Sequence, residues 1–296
     1  VLPPSGPQDL DVVARTILDG SVTIAWLTAV LFHAMMDEQA SALRGLRQLL
    51  AGGDVLLPSQ CRAALATMDE GVLINGYGPT ENTTFTCCHR MAVAADVADP
   101  VSIGVPIRGT SVHVLDPDLR PVPPGVAGEL YAGGAGLARG YLNRPGATAE
   151  AFIPDPFAVE PGARLYRTGD RVRWLRNGTL EFLSRLDDQV KILGHRVEPN
   201  EVAAVLRSCA QVDQVAILVD RGDAAVKVLR AFVTPATPVD AGARSAWISQ
   251  LRSELAALVP AYMIPTHITQ LEALPLSATG KVDRVALSAV AAETAR

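Results

Sequence analysis

The sequence predicts an α/β fold: a partial doubly wound sheet with a β-rich subdomain, followed by a small α+β domain at the carboxyl end. Three observations predict it. Residues 8 to 76 alternate helical and strand-like apolar patterns, a βαβα rhythm that builds parallel sheets. From about 92 to 183 the texture changes to short strands between Gly/Pro turns. After Arg185-Leu186-Asp187-Asp188 it changes again, to strands mixed with longer helices. A chain of 296 residues has room for about two domains.

The first region opens with Asp9–Leu18, where Leu10, Val13, Ile17 and Leu18 give helical spacing and Gly20 supplies a stop. Val22–Leu27 reads as a strand, Ala29–Met36 as a helix and Leu46–Ala51 as a buried strand ending in Gly52-Gly53. Pro58 is placed to start a helix carrying Cys61, Ala64 and Leu65. Val72–Ile74 is a third short apolar run, stopped by Gly78-Pro79. Three strands are only part of a doubly wound sheet. In the β-rich region Ser111–Leu115 and Glu129–Ala132 flank a turn-rich stretch, and Asn177-Gly178 joins Arg171–Leu175 to Thr179–Leu183 as a hairpin. The last region reads as strand Gln189–Leu193, a helix from Pro199 to about Ser208, and strands Gln214–Val219 and Val228–Val233. A helix over Arg244–Leu258, strand Thr266–Leu271, an irregular loop Leu274–Lys281 and an Ala-rich linker or helix over Ser288–Arg296 complete it.

Bulk composition narrows the function classes. Hydrophobic content of 49% is enough for real cores, and a net charge of −5 argues against nucleic-acid or anionic-membrane partners. The apolar run Val22–Phe32 is broken by Thr23 and Thr28 and is too short to span a bilayer. Val1-Leu2-Pro3-Pro4 is neither a signal peptide nor a natural start, which points to a piece of something longer. The four cysteines, Cys61, Cys87, Cys88 and Cys209, lack metal spacing; free thiols and a cytoplasmic setting are the expectation.

The most informative stretch is Asn75-Gly76-Tyr77-Gly78-Pro79-Thr80-Glu81. Open α/β sheets bind ligands beyond the carboxyl ends of their strands, and here such an end carries an aromatic, a hydroxyl and a carboxylate. Taken alone, the heptapeptide reads equally well as a surface turn. Two phosphate-like motifs fail: Thr279-Gly280-Lys281 lacks the upstream Gly of a P-loop, and Gly134-Ala135-Gly136-Leu137-Ala138-Arg139 has Arg where a dinucleotide fingerprint needs its third Gly.

Six motifs in order decide the matter: Gly52-Gly53-Asp54; Asn75–Glu81; Gly128–Tyr131 with Gly133–Tyr141; Tyr166-Arg167-Thr168-Gly169-Asp170; Arg185–Glu198; and Leu274–Arg284. Together they resemble the adenylation domains of nonribosomal peptide synthetases, within the adenylate-forming superfamily, from about residue 8 to 284. The resemblance implies an enzyme that joins an amino acid to the α-phosphate of ATP with Mg²⁺, then loads a phosphopantetheinyl carrier protein. It implies roles for residues too. Tyr77 would stack on adenine, Asn75 and the Gly53-Asp54 backbone would read its edge, and Thr80 would hold phosphate oxygens. Glu81 would ligate Mg²⁺, Asp170 would accept from both ribose hydroxyls, and Arg185 would sit by the ribose and phosphates. Lys281 would be the mobile catalytic cation and Asp187 the hinge. Family pocket positions fall on Trp26, Leu50, Gly52, Gly76, Thr84 and Phe85, with Lys281 last, an apolar lining that resembles the valine-type pattern. Isoleucine, leucine and 2-aminobutyrate are close alternatives, since one methylene is worth only ~1–3 kcal/mol. The plainer reading of Trp26 and Phe85 is core packing.

On the same resemblance the domains divide as 1–186, the carboxyl-terminal part of a large core (1–91 α/β, 92–186 β-rich); 187–284, a mobile α+β lid; and 285–296, a linker toward a carrier domain. Ser184 and Leu193 depart from the family's usual Gly and Arg. The family's phosphate loop and the Asp that holds the substrate amine are expected upstream of residue 1. Expected partners are therefore the amino acid, ATP, the carrier domain, the missing amino-terminal part and, for some such domains, a small MbtH-like activator. The rival readings are an acyl- or aryl-CoA ligase of the same superfamily and a non-catalytic fragment that serves as a binding module.

Overall fold

A computed structural model describes residues 9–192, 195–221, 227–240, 242–277 and 282–294. The chain divides into two compact units, Val1–Asp187 and Asp188–Arg296.

In the first unit, helices α1 (Leu10–Asp19), α2 (Ala29–Glu38) and α3 (Pro58–Thr67) alternate with strands β1 (Ile24–Thr28), β2 (Gln48–Gly52) and β3 (Val72–Tyr77). Each helix starts where its sequence allows. The Asp9 carboxylate caps α1 by accepting from the Asp11 and Val12 amides, the Thr28 hydroxyl caps α2, and Pro58 opens α3. The three strands are parallel and in register, with Trp26, Leu50 and Ile74 abreast and Thr28, Gly52 and Gly76 abreast. Alternation sends Leu27, Leu49, Ala51 and Leu73 into a core with Val13, Phe32, Met35 and Leu43 from the helical layer. The opposite face carries Ile24 and Trp26, which remain 60% and 47% exposed.

Two strands that the apolar pattern did not reveal, β4 (Cys87–Met91) and β5 (Val105–Pro106), extend this sheet antiparallel in the order β1-β2-β3-β4-β5. The expected border at residue 91 therefore does not hold. Val105 and Pro106 belong to the first sheet, and the composition shift at 92 marks a loop rather than the end of a layer.

The second sheet contains β6 (Thr110–Leu115), β7 (Ala127–Gly134), β8 (Phe152–Pro154), β9 (Arg164–Trp174) and β10 (Leu180–Arg185), with α4 (Pro145–Ala151) before β8. All its pairings are antiparallel. Asn177 and Gly178 turn β9 into β10 as expected, with Gly178 at φ +81°. β9 is longer than expected. It starts at Arg164 and absorbs Tyr166–Asp170, because an irregularity in the ladder accommodates the left-handed Gly169, at φ +71°.

The unit Asp188–Arg296 holds a small hairpin, β11 (Val190–Ile192) with β12 (His195–Val197), and a three-stranded sheet in the order β13 (Val212–Arg221), β14 (Lys227–Pro235), β15 (His267–Gln270). Helices α5 (Pro199–Ser208) and α6 (Arg244–Leu258) pack Val202, Leu206, Leu251 and Leu255 against Leu229, Ala231 and Val233 on one face of β14. The segment expected as a linker from 285 onward is a helix, α7 (Arg284–Thr294). It buries Leu287 and Ala291 against Phe232 and Leu218 on the other face, and Arg284 grips Asp188 with two bonds of 3.0 and 2.6 Å. No helix among the described residues is long and apolar enough to cross a membrane.

All four thiols are free, and burial pushes Cys61 and Cys87 up to about 12. Iodoacetamide at pH 8 is expected to leave both unmodified in the native chain and to label them once the chain is unfolded; intact mass reads the difference. For α7, Leu287→Ala should cost about 2–5 kcal/mol of local stability, whereas Val285→Ala at an 82% exposed site should stay within about 0.5 kcal/mol. Hydrogen exchange across β13 and β14 measures both.

Candidate active site

The carboxyl ends of β1, β2 and β3 meet along one edge, and the residues singled out by the sequence gather there. Gly52 and Gly76 are cross-strand neighbours, and neither position has room for a side chain. A Cβ on Gly52 would lie 2.0 Å from the Gly76 carbonyl oxygen, and one on Gly76 would lie 2.4 Å from the Phe85 ring. Gly53, at φ +85°, turns the chain away and leaves open space where its Cβ would be, so bare backbone is presented to whatever approaches. The Asp54 carboxylate accepts from the Val55 amide at 2.8 Å.

Beyond β3, Thr80–Asn82 form one short 3₁₀ turn, and Thr83 and Thr84 follow with φ of +46° and +72°. Two successive β-branched residues in the left-handed region are strained, a device found where function dictates the backbone. The turn directs Phe85 over Gly76 and sets its ring 6.5 Å from that of Trp26. Trp26, Leu50, Gly52, Gly76 and Phe85 thus line one side of the edge, while the Thr80 and Thr84 side chains are exposed. Asn75 lies on the same face of β3 as Tyr77, buried, and its Nδ2 donates to the Ser102 carbonyl at 2.8 Å.

The opposite wall comes from the second sheet. Three residues of β9, Thr168, Gly169 and Asp170, oppose the single Leu130 of β7, and this bulge turns Asp170 toward Tyr77. A second bulge in β10, with Leu183 as the extra residue, shifts the register so that Arg185 pairs with Asp170. Asp170 is buried, and its Oδ2 accepts a short bond from the Tyr77 hydroxyl. Its Oδ1 accepts from Arg185 Nη1 at 2.8 Å, and its backbone amide donates to the Thr168 hydroxyl at 3.0 Å. Arg185 also holds Asp187 with two parallel bonds, Nε to Oδ1 at 2.8 Å and Nη2 to Oδ2 at 2.5 Å. Burial raises the Tyr77 phenol well above the usual tyrosine range, reinforced by the Asp170 charge and bond, so it stays a donor. Burial works against the Arg185 charge, but the bonds and charges of Asp187 and Asp170 outweigh it and hold the guanidinium firmly protonated.

Glu81 sits beside this cluster, largely buried, and its Oε1 accepts from the Tyr141 hydroxyl at 2.7 Å. Burial, then the bonds to Glu81 and Tyr166, push the Tyr141 phenol far up, so it too remains protonated. The Ala138 amide donates to the Glu81 carbonyl at 2.8 Å and the Thr83 hydroxyl to the Gly136 carbonyl at 2.5 Å, lacing the 134–141 loop to the 80–84 turn. Sequence reasoning quoted Tyr141 within a motif but gave it no role; only the fold brings it to Glu81. Thr168 likewise stood within a quoted motif without a role, and the two bulges left no sequence signal. Lys281 lies outside the described residues, as does Leu193.

A nucleotide and Mg²⁺ fit this chemistry. Gly53 offers uncovered backbone, Asp170 a fixed carboxylate for hydroxyl donors, and Thr80 an exposed hydroxyl. Among the described residues no three His, Cys, Asp or Glu side chains converge to make a protein-only metal cage.

Comparison with known proteins follows the same line. Residues 1–142 match the family described as AMP-binding enzyme. One of the linear gramicidin synthases of Brevibacillus parabrevis is 47% identical over 296 residues, the whole of this chain and 6% of that protein. Tyrocidine synthase 3 of the same organism is 40% identical over 279 residues, 94% of this chain and 4% of that protein. Among solved structures, holo-PA1221, an NRPS protein containing adenylation and PCP domains bound to a vinylsulfonamide inhibitor, aligns with a TM-score of 0.80 at 38% identity, covering 96% of this chain and 47% of that one. The chain therefore spans a small part of its curated relatives and about half of the matched structure. The first 142 residues thus match the AMP-binding enzymes, and nearly the whole chain is similar, by sequence and by fold, to parts of nonribosomal peptide synthetases.

Proposed function

We propose that this chain is the carboxyl-terminal part of an amino-acid-activating domain that forms aminoacyl-AMP from ATP and a small branched aliphatic amino acid, valine foremost, and passes the aminoacyl group to a carrier thiol. The observation that carries the reading is the Tyr77–Asp170–Arg185 cluster, built around the buried Asp170 carboxylate at the carboxyl end of β3, with Glu81 four residues beyond Tyr77.

Each residue then has a task. The bare backbone at Gly53 and the ring of Tyr77 receive the adenine, and Asp170 accepts from the ribose hydroxyls. Arg185 neutralises the ribose-binding carboxylate and the neighbouring phosphate charge. Thr80 donates to phosphate oxygens as the amino-acid carboxylate approaches, where like charges would otherwise repel. Mg²⁺, held by Glu81, supplies Lewis-acid neutralisation of the departing pyrophosphate. Lys281 supplies the second cation once the unit Asp188–Arg296 closes as a lid. Two neighbouring contacts support Asp187 as the hinge: Asp187 is gripped by Arg185 and Asp188 by Arg284, which confines backbone rotation to the junction between them. The apolar lining of Trp26, Leu50 and Phe85, with Thr84 as its one hydroxyl, supports the aliphatic substrate. The carrier partner rests on the relatives that contain both adenylation and PCP domains.

ATP–pyrophosphate exchange with an amino-acid panel, run with and without an MbtH-like protein, tests the reading. The expected outcome is no exchange by the isolated 296 residues and valine-led exchange once the upstream segment is supplied. Turnover by the 296 residues alone, or preference for an acid lacking the amine, refutes it. In the complete domain Tyr141→Phe removes the bond to Glu81. It should lower kcat/KM about tenfold and raise the Mg²⁺ concentration needed for half-maximal rate, since a bond to a charged group is worth about 1.5–3 kcal/mol. An unchanged Mg²⁺ profile would show that Tyr141 does not position the carboxylate.

A further inference from the structure

Between the carboxyl end of β2 and the start of α3 the chain runs through Gly53–Leu57, a segment that opens with the bare backbone at Gly53. Leu56 buries its side chain in the core, whereas Val55 and Leu57 are 54% and 50% exposed. The Val55 amide turns back on its own neighbour, the Asp54 carboxylate. Helix α3 begins without the usual polar cap. Its flanking residue, Leu57, makes no side-chain capping bond and is followed by Pro58, which has no amide hydrogen to give.

The bond that reaches across to another element comes from Leu57. Its amide donates to His33 Nε2, 3.2 Å away on α2. An imidazole nitrogen accepts only when it carries no proton, so this bond selects the neutral ring with its hydrogen on Nδ1. Protonation would set two N–H groups against each other and release the segment.

The surroundings of His33 contest that choice. Burial favours the neutral ring and pulls its pKa below the usual histidine range, against the opposing charges of Asp37 on its own helix and Asp54 on the segment itself. From α3, the neutral Gln60 donates to Asp37, and the Arg62 guanidinium is engaged by the Val97 carbonyl at 3.0 Å. Because the folded chain prefers the neutral ring, the Leu57 bond is complete above the ordinary histidine pKa and is lost as pH falls through the lowered one.

We propose that His33 is a positioning residue for the nucleotide, holding the Gly53–Leu57 segment against α2 through the bond that Leu57 donates to it. The inference rests on the reading above in which the Gly53 backbone receives the adenine; His33 itself touches no ligand and acts by fixing the loop. Two measurements keep the two ideas apart. On the 296-residue chain, ¹H–¹⁵N spectra from about pH 8 to about pH 5 follow the Leu57 amide and the His33 ring nitrogens. The expected result is a Leu57 shift that titrates together with the ring and is absent in His33→Gln, whose Oε1 accepts near the place of Nε2 without titrating. On the complete domain, calorimetry of ATP binding without amino acid reads the consequence. His33→Leu should weaken ATP about three- to tenfold, the worth of one hydrogen bond, and His33→Gln should restore affinity to within about twofold of wild type. Between about pH 7.5 and about pH 5.5 the wild-type affinity should fall relative to that of His33→Gln, which shares every other titration, including that of ATP itself. This comparison decides alone if His33→Leu fails to fold. A Leu57 amide indifferent to the His33 titration overturns the latch even where ATP binds. ATP affinities that match in wild type and both variants at both pH values overturn its role in positioning. A complete domain that binds no ATP refutes the functional reading and this inference with it.

Discussion

Arg185 is the constraint on which the rest of the site depends. One guanidinium holds the Asp170 carboxylate, the Thr168 carbonyl and both oxygens of Asp187, so it fixes the end of β10 against the bulge of β9. Asp170 in turn fixes the Tyr77 hydroxyl, which pins the end of β3 to the second sheet. Two sheets of different construction are thus joined where a ligand would bind, and by charge-assisted bonds rather than by apolar contact. Such bonds are roughly twice as strong as neutral ones, and partial burial shields them from salt. Gly169 belongs to the same arrangement. A Cβ there would lie 2.9 Å from both Arg185 Nη2 and Asp187 Oδ2, so the clamp closes only over a glycine.

The wall around Glu81 has a different logic. Its carboxylate is positioned by a neutral phenol, Tyr141, and its backbone by the Ala138 amide, both from a loop sixty residues downstream. A neutral donor orients the carboxylate without cancelling its charge. Asp170 receives a full guanidinium instead. The two carboxylates thus sit in different surroundings, Glu81 beside a neutral phenol and Asp170 beside a guanidinium as well as a phenol.

Much of this was legible in the sequence, and the limits have physical causes. The βαβα alternation, the helix start at Pro58 and the Asn177-Gly178 turn are local signals, and the elements they mark appear where expected. β4 was invisible because Cys87-Cys88-His89-Arg90-Met91 has no clean apolar alternation; its place is set by pairing with β3. The bulges at Thr168–Asp170 and at Leu183 are properties of a ladder between distant strands, and no local pattern announces them. Motif resemblance named Asp170, Arg185 and Glu81, but could not reveal that Asp170 and Arg185 are bonded to each other or that Tyr141 supports Glu81. The Ala-rich tail left linker and helix both open in the sequence, and the burial of Leu287 and Ala291 decides for a packed helix.

The close approach of Gly52 to Gly76, and of Gly76 to the Phe85 ring, has a consequence for any attempt to redirect the selectivity of this edge. Half of such a lining is not a set of independent dials: enlarging either glycine collides with backbone or with a ring held by two strained threonines. Variation that leaves the scaffold intact is confined to Trp26 and Leu50. Libraries that randomise all six positions alike would therefore spend most of their diversity on chains that cannot close the sheet.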